Sequence, residues 1–150
     1  MSEFACDYTL AEARRIGAAI GAALMPGDVV LLSGDLGAGK TTLARAMLKQ
    51  RGLAGEAPSP TFAIVQPYAP PEVDLAIAHV DLYRIEEEDE LIELGLDDYL
   101  YDGALLIEWP ERLGAQRWSG ALTLRISGEG DARVLTAEVP AAWEARWPLR

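Results

Sequence analysis

A glycine-rich octapeptide, Gly34–Thr41, is the feature that most constrains the fold of this chain. It fits the pattern G-x-x-x-x-G-K-[ST] at every fixed position. An apolar run of strand length, Val29–Leu32, precedes it, and a helical pattern over Thr41–Arg51 follows it. A strand, a glycine-rich turn and a helix in this order are typical of a phosphate-binding loop. We therefore predict that the loop binds ATP or a closely related nucleotide.

The residue types of the loop explain why it could hold phosphate. Glycines allow backbone angles at which several N–H groups point inward at one anion. The helix that begins near Gly39 adds the positive end of its dipole. Lys40 supplies a positive charge for the β- and γ-phosphates, and the Thr41 hydroxyl is placed to bind Mg²⁺. The alternative is a structural glycine-rich turn that happens to contain a lysine.

Two carboxylates are candidates for the metal side of the site. Asp81 ends the apolar run Ala76–Val80, and Glu108 ends the apolar run Ala104–Ile107. In a parallel α/β sheet the ligand lies outside the carboxyl ends of the strands, so both acids could face the loop. Each could instead cap a turn. Which of them contacts the metal directly is left open.

The rest of the pattern predicts one three-layer α/β domain over residues 1–150, with a mixed, mainly parallel sheet and a C-terminal hairpin. A capping box at Thr9–Glu12 predicts a helix that runs to about Leu24 and has Leu10 on its apolar face. Further strands are predicted at Phe62–Val65, Leu122–Ile126 and Val134–Val139, with a turn at Gly128–Asp131 and a helix at Glu86–Leu94.

Charge and composition narrow the functional classes. The net charge is -11, with 13 basic against 24 acidic residues. Because nucleic-acid affinity depends largely on basic side chains that neutralise phosphates, tight autonomous binding to RNA or DNA is not expected. No apolar run is long enough to cross a bilayer and no secretory signal is visible, so we expect a cytoplasmic protein. The single cysteine, Cys6, excludes an internal disulfide.

Four sequence blocks together resemble the TsaE family (formerly YjeE), small bacterial ATPases of tRNA threonylcarbamoyladenosine biosynthesis. The first block is the phosphate loop, which is generic among nucleotide enzymes, and the other three are specific as a set. In chain order the blocks are Gly34–Thr42, Ser59–Phe62, His79–Arg84 and Glu108–Glu111. The resemblance implies a P-loop NTPase-like fold.

The resemblance also implies roles for individual residues. Lys40 would hold phosphate, Thr41 and Glu108 would hold Mg²⁺, and Asp81 would support the metal or its water. Thr61 would act as a switch residue that senses the γ-phosphate or orients water. The implied nucleotide-binding residues are Thr9, Gly34, Asp35, Leu36, Gly37, Ala38, Gly39, Lys40, Thr41, Thr42 and Trp109.

In function, the resemblance implies an ATPase that acts with TsaB and TsaD on adenosine 37 of tRNA and reaches the tRNA only through that complex. A small-molecule kinase and a non-catalytic nucleotide-gated module stay open as alternatives. A GTPase is not expected, because the guanine motif Asn-Lys-x-Asp needs asparagine and the chain has none. His79 is interpreted as a structural residue and Arg84 as a partner of nearby acids, and the roles of both are left open.

Overall fold

The described part of the chain, residues 2–55, 64–113 and 118–149 of a computed structural model, alternates strands with helices. In chain order its elements are β1 (Ser2–Tyr8), α1 (Leu10–Ala22), β2 (Val29–Ser33), α2 (Lys40–Gln50), β3 (Val65–Tyr68), β4 (Ala76–Asp81), α3 (Glu88–Leu94), a 3-10 helix (Leu96–Tyr101), β5 (Gly103–Glu108), a second 3-10 helix (Pro110–Leu113), β6 (Leu122–Glu129), β7 (Ala132–Val139) and α4 (Ala141–Glu144).

The strands form one mixed sheet in the order β1-β7-β6-β2-β5-β4-β3. Its central strands β6, β2, β5 and β4 pair in parallel, while β1, β7 and β3 pair antiparallel with their neighbours. The register sets Leu32 of β2 and Asp81 of β4 on either side of Glu108 of β5. The carboxyl ends of β2, β4 and β5 therefore meet at one edge of the sheet, where a ligand is expected in such folds.

Apolar clusters cover both faces of the sheet. Val30 and Leu32 belong to the cluster that includes α1, α2 and α4, whereas Val29 and Leu31 belong to the cluster that includes α3 and both 3-10 helices. Because successive residues of a strand point to opposite faces, β2 is buried on both sides, which explains its continuous apolar sequence. The predicted three-layer α/β fold with a C-terminal hairpin is confirmed.

Helices α1 and α2 pack at very short range. A Cβ added at Gly17 would lie 2.5 Å from the Cβ of Ala46, and one at Gly21 would lie 2.7 Å from the Cα of Met47. Two glycines one turn apart on α1 thus let the backbones approach. No helix among the described residues is long and apolar enough to cross a membrane.

The C-terminal segment is fastened to the turn between α1 and β2. Arg146 makes a two-pronged ion pair with Asp28, with N–O distances of 2.6 and 2.7 Å. Its guanidinium carbon also lies 3.9 Å from the ring centroid of Trp143, a fully buried side chain. Planar bidentate pairing of this kind orients both partners.

Several predicted elements need correction. The capping box of Thr9 and Glu12 is present, but α1 ends at Ala22 and Leu10 is 47% exposed, because it lies on the outer side of the first turn. The strand expected at Phe62–Val65 corresponds to β3, which spans Val65–Tyr68, and residues 62 and 63 of the expected range lie outside the described residues. Strand β1 was not predicted, since within the described part of the chain it pairs with β7, which is far away in the sequence.

Candidate functional site

The glycine-rich loop joins the end of β2 to the start of α2, as predicted. Gly34, Gly37 and Gly39 have φ angles of 148°, 76° and 110°, which glycine adopts far more readily than other residues. A Cβ at Gly34 would also lie 2.6 Å from the carbonyl oxygen of Ile126 on β6. Gly39 is the N-cap of α2, so the unpaired N–H groups of that helix face the loop.

Lys40 is folded into the loop and is only 5% exposed. Its ammonium donates to the carbonyl oxygens of Gly34 at 2.6 Å and Asp35 at 3.0 Å, and it lies 4.0 Å from the ring centroid of Trp109. Burial lowers the pKa of Lys40, and the negative charges nearby, Glu108 foremost, oppose that shift. The ammonium group of Lys40 is therefore held against the backbone of the glycine-rich loop.

Thr41 and Glu108 are in direct contact. The Thr41 hydroxyl donates to the Glu108 carboxylate and lies 2.9 Å from each of its two oxygens. Glu108 is 3% exposed and also lies 2.6 Å, through Oε2, from Nε2 of His79. The strand-end acid predicted for the metal side thus touches the hydroxyl predicted for the same metal.

Asp81 shares a cavity with these residues. It is 8% exposed, and its Oδ1 accepts the backbone N–H of Tyr83 at 2.9 Å, which fixes the turn after β4. The cavity measures about 240 Å³ and is lined by Leu36, Gly37, Ala38, Gly39, Lys40, Thr41, Thr42, Asp81, Glu108 and Trp109. The loop and both acids therefore open onto one space, with Glu108 the acid that meets Thr41.

The donor set suits Mg²⁺ that is shared with a phosphate. Thr41, Asp81 and Glu108 offer hard oxygen ligands around one cavity. Among residues 2–55, 64–113 and 118–149, no group of three or more His, Cys, Asp or Glu side chains could hold a metal by itself. Mg²⁺ typically keeps several waters and binds through one or two carboxylates plus substrate phosphates. The residues therefore fit an ion that arrives with a nucleotide.

Trp109 has an unusual backbone. Its φ is 60°, in the left-handed region that a bulky residue seldom adopts. Its N–H donates to the Leu32 carbonyl at 3.3 Å, and its ring lies 4.9 Å from that of Tyr83, centroid to centroid, as well as beside Lys40. Backbone strain of this kind concentrates at functional sites. The indole thus lies beside Lys40 and lines the cavity.

Thr9 does not line this cavity. It caps α1 and borders a separate recess with Glu12, Asp131 and Arg133, among others. Arg133 connects the two regions, because its guanidinium donates to the loop carbonyls of Gly37 at 3.0 Å and Ala38 at 2.5 Å. Sequence reasoning missed Arg133, and nothing in the sequence pattern singles out this residue just after a hairpin turn.

Thr61 and the whole Ser59–Phe62 block lie outside the described residues, so the switch role stays a prediction. The other residues predicted for the loop, such as Asp35 and Thr42, lie in the segment that runs from β2 to the first turn of α2. Asp35 contributes its carbonyl to Lys40, and Thr42 lines the cavity on the first turn of α2. Arg84 is exposed in the turn after β4.

Comparison with known proteins gives a consistent result. The family model described as "Threonylcarbamoyl adenosine biosynthesis protein TsaE" matches residues 8–135. Among curated relatives, the tRNA threonylcarbamoyladenosine biosynthesis protein TsaE of Bacillus subtilis is 38% identical over 80% of this chain and 74% of its own length. The protein of the same name from Streptomyces coelicolor is 39% identical over 75% of this chain and 77% of its own.

A solved structure agrees with the sequence relatives. The crystal structure of YdiB, from the same Bacillus species, superposes with a TM-score of 0.79 at 29% sequence identity. The superposition covers 97% of this chain and 92% of that one. The similarity therefore includes the elements on both sides of the matched segment.

Proposed function

This chain belongs to the TsaE family, and we propose on that premise that it binds and hydrolyses ATP with Mg²⁺. We propose further that it does so as a subunit of the assembly that installs threonylcarbamoyl on adenosine 37 of tRNA. TsaB and TsaD are the proposed partners, and the cytoplasm is the proposed location. The observation that carries the ATPase proposal is the contact between Thr41 and Glu108 at the mouth of the glycine-rich loop.

The proposed chemistry depends on positioning and charge, as in phosphoryl transfer generally. The loop N–H groups and Lys40 bind the phosphate chain and offset the negative charge on the terminal phosphoryl oxygens. Mg²⁺, when bound at Thr41 and Glu108, supplies further charge neutralisation. Asp81 faces the same cavity, and we assign it to the support of Mg²⁺ or of a water bound to it. Lys40 leaves its two carbonyl partners to meet the phosphate.

The nucleoside end is assigned to the recess beside Thr9. This recess adjoins the loop through Arg133, which borders it and binds the loop carbonyls. We also keep the proposal that Thr61 senses the γ-phosphate and signals its loss to the partners, in the manner of other order–disorder switches.

The acidic surface supports indirect contact with tRNA. With a net charge of -11, the chain is expected to be repelled by a polyanion unless a basic partner lies between them. We therefore expect slow phosphate release from the isolated chain and faster release when TsaB and TsaD are present.

Phosphate release from ATP, measured with and without TsaB–TsaD, tests the proposal. Glu108→Gln should still bind nucleotide but should lose at least roughly tenfold in release rate, since one electrostatic contact at a reacting centre is often worth more than that. The matched control is Glu90→Gln, an exposed acid on α3, which should behave as the wild type. A rapid rate for the isolated chain that the partners leave unchanged, or an undiminished rate for Glu108→Gln, would overturn the proposal.

A further inference from the structure

His79 is a buried polar residue that the proposed chemistry has not used. It is the only histidine of the chain and is fully buried in β4. Neighbouring β4 residues such as Ile77 and Val80 are apolar. An apolar side chain here would avoid the penalty of burying an imidazole, so the polar ring needs a physical reason.

The ring points to the same face of the sheet as Asp81, two residues further along β4. Its Nε2 lies 2.6 Å from Oε2 of Glu108, across the parallel pairing of β4 and β5. Its Nδ1 is buried and has no hydrogen-bond partner within the described ranges. The contact with Glu108 is thus the polar interaction that the ring makes there.

The chemistry of the pair fixes its direction. A carboxylate accepts hydrogen bonds when it is ionised, and in that state Nε2–H of His79 is the donor of the pair. We propose that His79 is a positioning residue that holds the Glu108 carboxylate against the Thr41 hydroxyl through Nε2–H. The inference rests on the proposed function, where Glu108 is assigned to the Mg²⁺ side of the site.

The consequence is a carboxylate held from two sides. Nε2–H of His79 engages Oε2, and the Thr41 hydroxyl lies within 2.9 Å of both oxygens. Loss of a residue that orients a metal-binding group typically lowers metal affinity or activity by roughly 10–100-fold. Without His79, Glu108 would lose one of these two partners and would be held by the Thr41 hydroxyl alone among the contacts of the described residues.

Two substitutions of similar polarity separate positioning from packing. Glutamine places an amide nitrogen at the ε position, where it can still donate to Glu108, whereas asparagine places its amide at the δ position, one bond short. His79→Gln should retain the Mg²⁺ dependence of ADP binding within about threefold. His79→Asn should weaken it by roughly tenfold or more. Thermal unfolding of both variants measures any general loss of stability.

Equal Mg²⁺ dependence in the two variants would overturn the proposal, because the reach of the amide donor to Glu108 would then have no effect. A second readout needs neither nucleotide nor metal. Since His79 is the only histidine, ¹⁵N-histidine labelling of a tag-free chain gives the signals of one ring. We expect the ring hydrogen to be found on Nε2, where it joins Glu108, and a ring that carries hydrogen on Nδ1 alone would overturn the proposal.

The two proposals fail in different ways. The ATPase proposal would be contradicted if the wild-type chain released no phosphate even with partners. The positioning role would still be supported if Nε2 carried the ring hydrogen and the glutamine and asparagine variants differed in Mg²⁺ dependence. Normal phosphate release with equal Mg²⁺ dependence in the glutamine and asparagine variants would support the ATPase proposal and contradict the positioning role.

Discussion

The close packing of α1 on α2 predicts that Gly21→Ala destabilises the fold. A Cβ at Gly21 would lie 2.7 Å from the Cα and 2.9 Å from the carbonyl oxygen of Met47, whereas ordinary contact begins at 3.4 Å. The nearest atoms are backbone, so no side-chain rotation relieves the contact. The helices must separate locally by about 0.7 Å, the difference between the first and last of these distances.

Two effects oppose one another in this variant. Overpacking in a close-packed interior costs about 1–3 kcal/mol, and a backbone clash belongs at the upper end of that range. Alanine in place of glycine favours a helix by about 1 kcal/mol. We therefore expect the free energy of unfolding to fall by about 2 kcal/mol, measured by urea denaturation followed by circular dichroism.

A control within α1 isolates the helix-forming tendency. Arg15 is exposed in the same helix, so the difference between Arg15→Ala and Arg15→Gly reports that tendency without any packing change. We expect the alanine variant to be more stable by about 1 kcal/mol. If Gly21→Ala were as stable as the wild type or more so, the inferred contact between the two helix backbones would be wrong.

Three further predictions concern the charged contacts. Burial lowers the pKa of Lys40 below its usual 10.5, so the folded chain loses the lysine proton at lower pH than the unfolded chain. Lys40 therefore makes the free energy of unfolding rise with pH in the interval just below 10.5. Lys40→Met should flatten that rise in pH-dependent urea titrations, and an unchanged slope would refute it. Arg133→Gln should weaken ADP binding roughly fivefold by calorimetry, since charged hydrogen bonds to the loop are lost, whereas Arg125→Gln, an exposed arginine on the same hairpin, should bind as the wild type does. Equal affinities for these two variants would count against a loop-supporting role. Arg146→Leu should lower the free energy of unfolding by about 2 kcal/mol, because the carboxylate of Asp28 is left largely buried without its partner, and an unchanged urea midpoint would contradict this.

The sequence predicted the core of the site because its signals are local. The loop follows an apolar run, and each acid directly follows another apolar run. Such runs are typical of strands buried on both faces of a parallel sheet. Once the strands were assigned, the placement of Asp81 and Glu108 at one edge followed from general topology. The contact of Glu108 with Thr41 agrees with that reasoning.

The contacts that sequence could not predict join residues far apart in the chain. His79 and Glu108 are 29 residues apart and meet only because β4 and β5 pair in one particular parallel register. Arg133 lies 95 residues from Ala38. Strand β1 shows a weak alternation of Phe4, Cys6 and Tyr8, but its edge position leaves few of its residues buried, so the pattern is faint.

The parallel and antiparallel parts of the sheet contribute different groups to the site. The parallel strands β5 and β4 supply Glu108 and Asp81 at their carboxyl ends, and β2 leads into the glycine-rich loop. The antiparallel hairpin of β6 and β7 supports the loop's shape, through the close approach of Gly34 to Ile126 and the hydrogen bonds of Arg133. Because the hairpin makes none of the hydrogen bonds described for Glu108, changes in it should weaken nucleotide affinity while leaving Mg²⁺ dependence intact. Changes at His79 should weaken the Mg²⁺ dependence while leaving nucleotide affinity intact.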